Sequence, residues 1–534
     1  KRYNYYMKSF FKNNIIPIFF GTFLSKLIGF IRQLFIAGAY GVGIAYDAFN
    51  YAYIIPGFLI IIIGGINGPL HNAIVAVLTP LKTKEAGLIL NQVSLKLTLI
   101  LLLIGFFIFL KANFIISVIA PSLNPEIRNI ATEQLRILSP CIPLSGFIGL
   151  SYGALNTKNK YLLSSLSPSI VSLVIVIFIS FSWLNNFQDF GISYFYKSKL
   201  LATATLTGTL IQFLIQLYEI YKIGLLNLQI NWLKASNAEK RILNLILPAS
   251  FASGLGQINV FVDMFFISSF RGAASGLAYG NLLIQAPLGI ISNTVILPLL
   301  PKFSKLINEK KKEKVKQILI EGIEYCFLTT IFLGGLFITF NGLIVELVFQ
   351  RGAFDNQAVS IVQQILIAYA VGIPFYLYRD LLIRFYYSIE RTKLPFQITL
   401  LGIVLNIIFD WILIGAPTIN NGNLLGFNYG PVGVVLSSGF VNLIVCSILS
   451  VRLKINDYKI PNLYLLKKVV YKVVSCIIAS SISLSLLNHI YYTRISFASK
   501  LTILIIGLTL FTLIYYVLTK FFKVNKLYLN QLFK

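Results

Sequence analysis

LILLLIGFFIFL, residues 99–110, is the stretch on which the fold turns. It carries no charge and no alternation of polar with apolar positions. A strand of a membrane barrel alternates lumen-facing with lipid-facing residues. A helix closes its backbone hydrogen bonds within itself and tolerates a continuous apolar run in lipid. Extended to 90–111, the run reaches the roughly 20 residues needed to cross a hydrocarbon core. IVSLVIVIFISF at 170–181 reads the same way.

Working outward gives fourteen such segments: 14–38, 47–79, 90–111, 132–156, 162–184, 200–222, 242–270, 275–301, 318–342, 358–388, 396–415, 431–452, 467–490 and 498–520. The first reaches full spanning length without an A-x-A-like cleavage site, so it reads as a span rather than a leader. The second contains GGINGP at 64–69 and is expected to be kinked or broken. Short glycine-rich links at 41–45 and 272–276 make their neighbouring helices antiparallel. The expected fold class is an all-α polytopic membrane protein.

Composition agrees. The 534-residue chain is 57% hydrophobic and 12% charged, with mean hydropathy +0.80, whereas soluble domains run about 25% charged. The net charge of +27 does not point to nucleic acid, because the lysines sit between apolar runs and form no separate basic domain. Cys141, Cys326, Cys446 and Cys476 lie in or beside apolar segments without metal-ligand spacing, and read as small buried hydrophobes. Two histidines far apart, His71 and His489, argue against a metal or histidine-based catalytic centre. No Walker A pattern and no carboxylate cluster of a glycosyltransferase is present, so neither an ATP motor nor an enzyme is expected.

Loop lysines and arginines set the orientation. One set of ends carries Lys1, Arg2, Lys8 and Lys12, then Lys82 and Lys84, Lys158 and Lys160, KFSKLINEKKKEKVK at 302–316, Arg391 and Lys393, and Arg452. The opposite ends hold scattered charges such as Arg128, Arg271, Arg351 and Arg494. Both termini are therefore expected in the cytoplasm. The run at 302–316 reads first as a topology determinant, with anionic-lipid binding as the functional alternative.

The chain also repeats. Phe35-Ile36, Gly41, Asn50 and Pro56 recur as Phe266-Ile267, Gly272, Asn281 and Pro287, each 231 residues on, and Lys158-x-Lys160 recurs as Arg391-x-Lys393 at 233. Six spans fit that interval, an even number, so the copies share one orientation about an axis along the membrane normal. This predicts a first lobe at 1–225, a second at 226–455, and two further spans with a tail at 456–534. Transporters built this way place substrate in a central cavity between lobes.

Ionisable residues inside spans cost about 2.5–3.5 kcal/mol on insertion scales and mark function unless paired. Lys26 and Arg32 lie in the first span, six residues apart and so within one broad sector of a helix. Asp47 opens the second, Asp263 lies in the seventh, Arg379, Asp380 and Arg384 in the tenth and Asp410 in the eleventh. Structural ion pairs between helices would account for some of them. The surplus of cations implies an anionic substrate, and a guanidinium suits phosphate.

These residues carry a family resemblance. SKLIGFIRQLFIAGAYGVGIAYDAFNYAYIIPGF at 25–58 resembles the opening of the MurJ/MviN lipid II flippases of the MOP superfamily. The likeness continues through GALNTKNKY at 153–161, ILPLLPKFSK at 296–305, VFQRGAFD at 348–355 and FYYSIERTKLP at 385–395. The resemblance implies two six-helix lobes plus two C-terminal helices in a bacterial inner membrane. It also implies export of an undecaprenyl-pyrophosphate-linked peptidoglycan precursor to the outer leaflet, energised by an ion gradient or the membrane potential and needing no cofactor.

Carried over by position, the family's two cavity cations fall on Lys26 and Arg32, its acid on Asp47 and a tenth-span cation on Arg379. Arg384 joins them as a second cation of that span. The chain departs from the family pattern at Lys26 itself, at Gln33, and at Ile60, Gly65, Leu282 and Gln285, where family charges are missing. The expected function is a lipid II flippase working by alternating access. The alternatives are a flippase for another polyprenyl-linked glycan, a multidrug or cation exporter of the same superfamily, and a non-transporting scaffold. Membrane lipids and cell-wall synthesis machinery are the expected partners, and a monomer the expected state.

Overall fold

A computed structural model describes residues 16–63, 65, 68–184, 194–226, 237–417, 423–424, 426–455, 462–488 and 497–522. Lys1, Arg2, Lys8, Lys12, His489, Arg494 and three residues of GGINGP (Gly64, Ile66 and Asn67) lie outside them. Nineteen α-helices follow in order: α1 Ile16–Tyr40, α2 Ile44–Ile62, α3 Pro69–Leu78, α4 Thr83–Leu110, α5 Ala112–Ile119, α6 Pro125–Leu138, α7 Cys141–Thr157, α8 Tyr161–Leu166, α9 Pro168–Leu184, α10 Tyr194–Lys222, α11 Asn237–Phe266, α12 Ala273–Ile291, α13 Leu297–Asn308, α14 Lys312–Phe349, α15 Asn356–Ser388, α16 Lys393–Ile414, α17 Gly430–Ile455, α18 Asn462–Asn488 and α19 Phe497–Phe521. Among the described residues the other regular structure is 3-10 and π turns flanking α12 and a two-residue antiparallel ladder, Ala416↔Leu424 and Pro417↔Asn423.

Among the described residues each of the fourteen apolar segments falls on helix. Twelve helices among the described residues are long and apolar enough to cross a membrane, thirteen with the bent pair α6–α7 counted as one. The fifth expected span is the shorter Pro168–Trp183, cut from α8 at Ser167. The second breaks as expected, with α2 ending at Ile62 and α3 starting on Pro69 in the first helical position, where its missing N–H is harmless.

Two compact units divide the described residues, the first running to Arg271 and the second beginning at Gly272. Within the first, α2 packs on α6, α4 and α3 on α7, and α9 on α10. Its core gathers Leu70, Ile74, Leu90, Leu150, Leu155 and Ile220. α11 packs here against α2 and α3, with Phe261 edge-on to Phe58 at 5.1 Å. Ion pairs hold helices together: Lys96, midway along α4, with Glu239 at 2.6 Å, and Lys160 with Glu219 at 3.1 Å. His71 is buried, its Nε2 2.7 Å from Asn156 Nδ2.

In the second unit α15 packs on α14, α17 and α12. The last two helices seat on α14. Cys476 of α18 rests on Gly335, where any side chain would collide with its sulfur, and Phe511 and Tyr515 of α19 meet Phe332. Lys468 pairs with Glu324 at 2.7 Å, and Lys500 with Glu346 at 2.8 Å. Lys472 is 1% exposed and donates to the Glu324 carbonyl oxygen at 2.8 Å.

The backbone repeats at the offset read from the sequence. Gly41 (φ 56°) and Gly272 (φ 79°), 231 apart, adopt the left-handed conformation at the turns before α2 and α12, both 19 residues long with proline inside at Pro56 and Pro287. Asn124 and Asp355, also 231 apart, cap α6 and α15 by accepting from the amides of Glu126 and Ala358. Asn159 and Glu390 (φ 59° each) close α7 and α15, with matching bonds Lys160 N→Leu155 O and Arg391 N→Tyr386 O. This turn aligns Lys160 with Arg391, at 231, so the offset of 233 read from the charges alone is two residues out.

Candidate functional site

α1 brings the first two candidate cations. Gly21 lets it lie on α8, because a Cβ there would fall 2.9 Å from Ser165 Cβ, and Phe35 stacks on Trp183 of α9 at 5.5 Å. Lys26 is exposed and Arg32 half-buried. The Arg32 Nε is enclosed and makes no hydrogen bond among the described residues. Tyr46 of α2 ties that helix to α1 by donating to Gln33 Oε1 at 3.2 Å. The hydroxyl thus meets a neutral acceptor. Asp47 is 1% exposed in the first turn of α2, where unsatisfied amides favour an anion. Lys26, Arg32 and Asp47 thus belong to the first unit and its α1–α2 corner.

Arg379 and Arg384 belong to the second unit, on α15, and have different surroundings. Arg379 Nη1 donates to Asn442 Oδ1 of α17 at 2.6 Å, and its guanidinium lies 5.4 Å from the centre of the Tyr376 ring. Its Nε is enclosed without a partner among the described residues. Arg384 is engaged locally: its Nε donates to Asp380 Oδ1 at 3.1 Å, one turn away, and Ser292 donates to the other Asp380 oxygen at 2.7 Å. Among the described residues, Arg379 therefore keeps an uncompensated charge where Arg384 does not.

Of the charge-depleted positions, Ile60 lies on α2, Gly65 in the break after it, and Leu282 and Gln285 on α12. Ile60, Gly65 and Leu282 are half-buried and Gln285 is exposed. One polar group was only partly legible. Asp410 is fully buried on α16, and Asn406, one turn before it, donates to its Oδ2 at 3.0 Å. Ser437 of α17 donates to Asn406 Oδ1 at 3.3 Å. Asp410 stands out in the sequence as a charge in a span. Asn406 does not, because a neutral amide gives no such signal, although its i, i+4 spacing is the clue.

A half-buried guanidinium with an unfilled donor can bind an oxyanion through the planar fork that suits phosphate. Comparison with known proteins gives this chemistry a family. The family model described as lipid II flippase MurJ matches residues 36–522. A probable lipid II flippase MurJ of Synechocystis is 36% identical over 424 residues, covering 79% of this chain and 77% of the relative. Among solved structures, lipid II flippase MurJ in an inward closed conformation superposes with TM-score 0.72 at 25% identity, over 95% of this chain and 98% of that one. An inward-facing MATE multidrug transporter of the MOP superfamily shares the fold, with TM-score 0.60 at 16% identity over 82% of this chain and 95% of that one. The chain belongs to the MurJ family of lipid II flippases.

Proposed function

We propose that this chain flips lipid II, an undecaprenyl-pyrophosphate-linked peptidoglycan precursor, from the cytoplasmic to the outer leaflet of a bacterial inner membrane by alternating access. Arg32 and Lys26 of the first unit grip the pyrophosphate, and Arg379 of the second unit is an anion contact of its own. Asp47 and the Arg384–Asp380 pair set the local field. An ion gradient or the membrane potential supplies the energy, and both termini face the cytoplasm.

The observation that carries the reading is Arg32, a mid-helix cation with an enclosed donor left open, just ahead of a family match that runs from residue 36 to 522. Leaving such a group unpaired costs stability, so a ligand that fills it is the direct explanation.

The test has two stages. Wild type should restore growth to a strain depleted of its lipid II flippase; failure with normal membrane amounts overturns the substrate assignment. Arg32→Ala should reach the membrane in normal amount and lower flipping of a tagged precursor about tenfold to a hundredfold, the size of one or two lost charge-assisted bonds. Arg32→Lys keeps the charge without the fork and should fall between. Normal flipping by Arg32→Ala removes Arg32 from the substrate path.

A further inference from the structure

The hairpin formed by α13, the turn at 309–311 and the start of α14 carries more charge than its place in the chain requires. KFSKLINEKKKEKVK at 302–316 holds seven lysines against Glu309 and Glu313. Its counterpart in the repeat, 231 residues earlier, is the end of α3, the turn and the start of α4, HNAIVAVLTPLKTKE at 71–85, with two lysines and Glu85. An even number of spans separates the copies, so both turns need the same topology signal. The first copy manages with a surplus of one charge.

The extra charge is displayed. Lys305, Lys310, Lys311, Lys312 and Lys314 are exposed, while Leu299, Phe303, Val315 and Leu319 of the same hairpin are buried and anchor it. One ion pair, Lys311–Glu309 at 2.6 Å, is internal to the turn. The hydrogen bond from Lys311 holds the Glu309 carboxyl below the usual carboxylate range.

Lys310 sits at φ 57°, closing α13 through Lys310 N→Ile307 O and Lys311 N→Leu306 O. That left-handed position favours glycine, and α10 ends with Gly224 in the same conformation (φ 71°). Here the chain accepts the strain and keeps the charge.

The lysines also stand at the right height. Ala273–Asn308 forms an apolar span of 36 residues, about 54 Å of helix, against a hydrocarbon core of about 30 Å and a bilayer of about 40–45 Å with headgroups. The charges at its end therefore fall at or just past headgroup level, within about one Debye length of the surface.

We infer that the 302–316 hairpin docks on anionic phospholipid headgroups, holding the second unit against a negatively charged leaflet. The inference rests on the orientation given under the proposed function. Phosphate oxygens complement exposed ammonium groups, and the attraction grows with each lysine near the surface.

The test uses the full chain with Asn308→Cys carrying bimane at the exposed end of α13, the four native cysteines being buried. It is reconstituted in vesicles of phosphatidylcholine and phosphatidylglycerol, with a nitroxide on the headgroup of one lipid or the other. Labelled phosphatidylglycerol should quench at least about threefold more than labelled phosphatidylcholine at low salt, and the preference should fade as salt rises. Changing Lys305, Lys310, Lys312 and Lys314 together to Gln should abolish the preference, and changing them to Arg should keep it.

Equal quenching by the two lipids in the parent protein overturns the inference, as does a preference that survives the Gln substitutions. Equal quenching with tight binding of soluble polyglutamate would assign the hairpin to an acidic protein instead, and also overturns it. Impermeant maleimide on intact cells separates the two layers. Labelling of the Asn308→Cys variant from outside would sink the orientation, whereas no labelling and no lipid preference would sink the docking alone.

Discussion

α6–α7 and α15 are the same segment of the repeat built twice, and they differ at one turn. Residues 125–157 and 356–388 have equal length, with matched caps at Asn124 and Asp355, matched prolines at Pro143 and Pro374, and matched left-handed turns at Asn159 and Glu390. α15 is continuous, whereas α6 and α7 meet at 46°. The difference is Pro140, which occupies the place of Val371.

A proline removes the N–H due to the carbonyl four residues back and pushes its ring against that carbonyl. Here that carbonyl is Arg136 O, and Ser139 compensates by donating its hydroxyl to it at 2.8 Å. One proline leaves a helix that bends; two within a turn, with a serine to satisfy the loose carbonyl, break it. In both copies a glycine, Gly105 of α4 and Gly334 of α14, presses onto the same carbonyl of this segment. A Cβ at Gly105 would stand 3.0 Å from Ser139 O, and one at Gly334 would stand 2.7 Å from Ala370 O. The bend changes the direction of the helix without changing how it is held.

Giving α15 a second proline should cost it most. Val371→Pro, with no serine at position 370, should lose about 3 kcal/mol or more and show as loss of folded protein in detergent. A normal melting curve would mean that Pro140 is not the cause of the bend. Gly334→Ala comes next, at about 1–3 kcal/mol, because the clash is with backbone oxygen and has no side chain to yield. Gly105→Ala should cost less, its gap being wider and the broken helix freer to shift; equal melting shifts would show the two copies to be equally stiff. The smallest effect is at the caps. Asn124→Ala and Asp355→Ala should each cost about 1 kcal/mol, and a shift for one alone would show that the matched caps do different work.

The spans were legible because a run such as Leu99–Leu110 has one physical solution in lipid. The break near Gly65 was legible from its glycines, and the repeat from Gly41, Asn50 and Pro56. The caps at Asn124 and Asp355 and the prolines at Pro143 and Pro374 keep the same offset, but it passed unread because the flanking side chains differ. At the site, Lys26, Arg32 and Arg379 were legible as charges out of place. That Asp380 binds Arg384 and Ser292 while Arg379 reaches Asn442 was not, since a linear pattern does not say which helices face each other. Asn406 was hidden for want of a charge.

The C-terminal helix pair has a consequence for motion. Glu324 and Glu346 lie on α14 on either side of its kink at Phe340, at most about 33 Å apart, and each receives a lysine from a different helix of the pair, Lys468 of α18 and Lys500 of α19. A hairpin fastened at a single point can pivot or slide. Fastened at two points a membrane's thickness apart, it keeps tilt and height together. Letting go at either point would strand a carboxylate that is 13% or 21% exposed, an expensive group to leave beside lipid. During any rearrangement of the second unit, α18 and α19 should travel with α14 as one rigid passenger, adding bulk to that helix and no hinge.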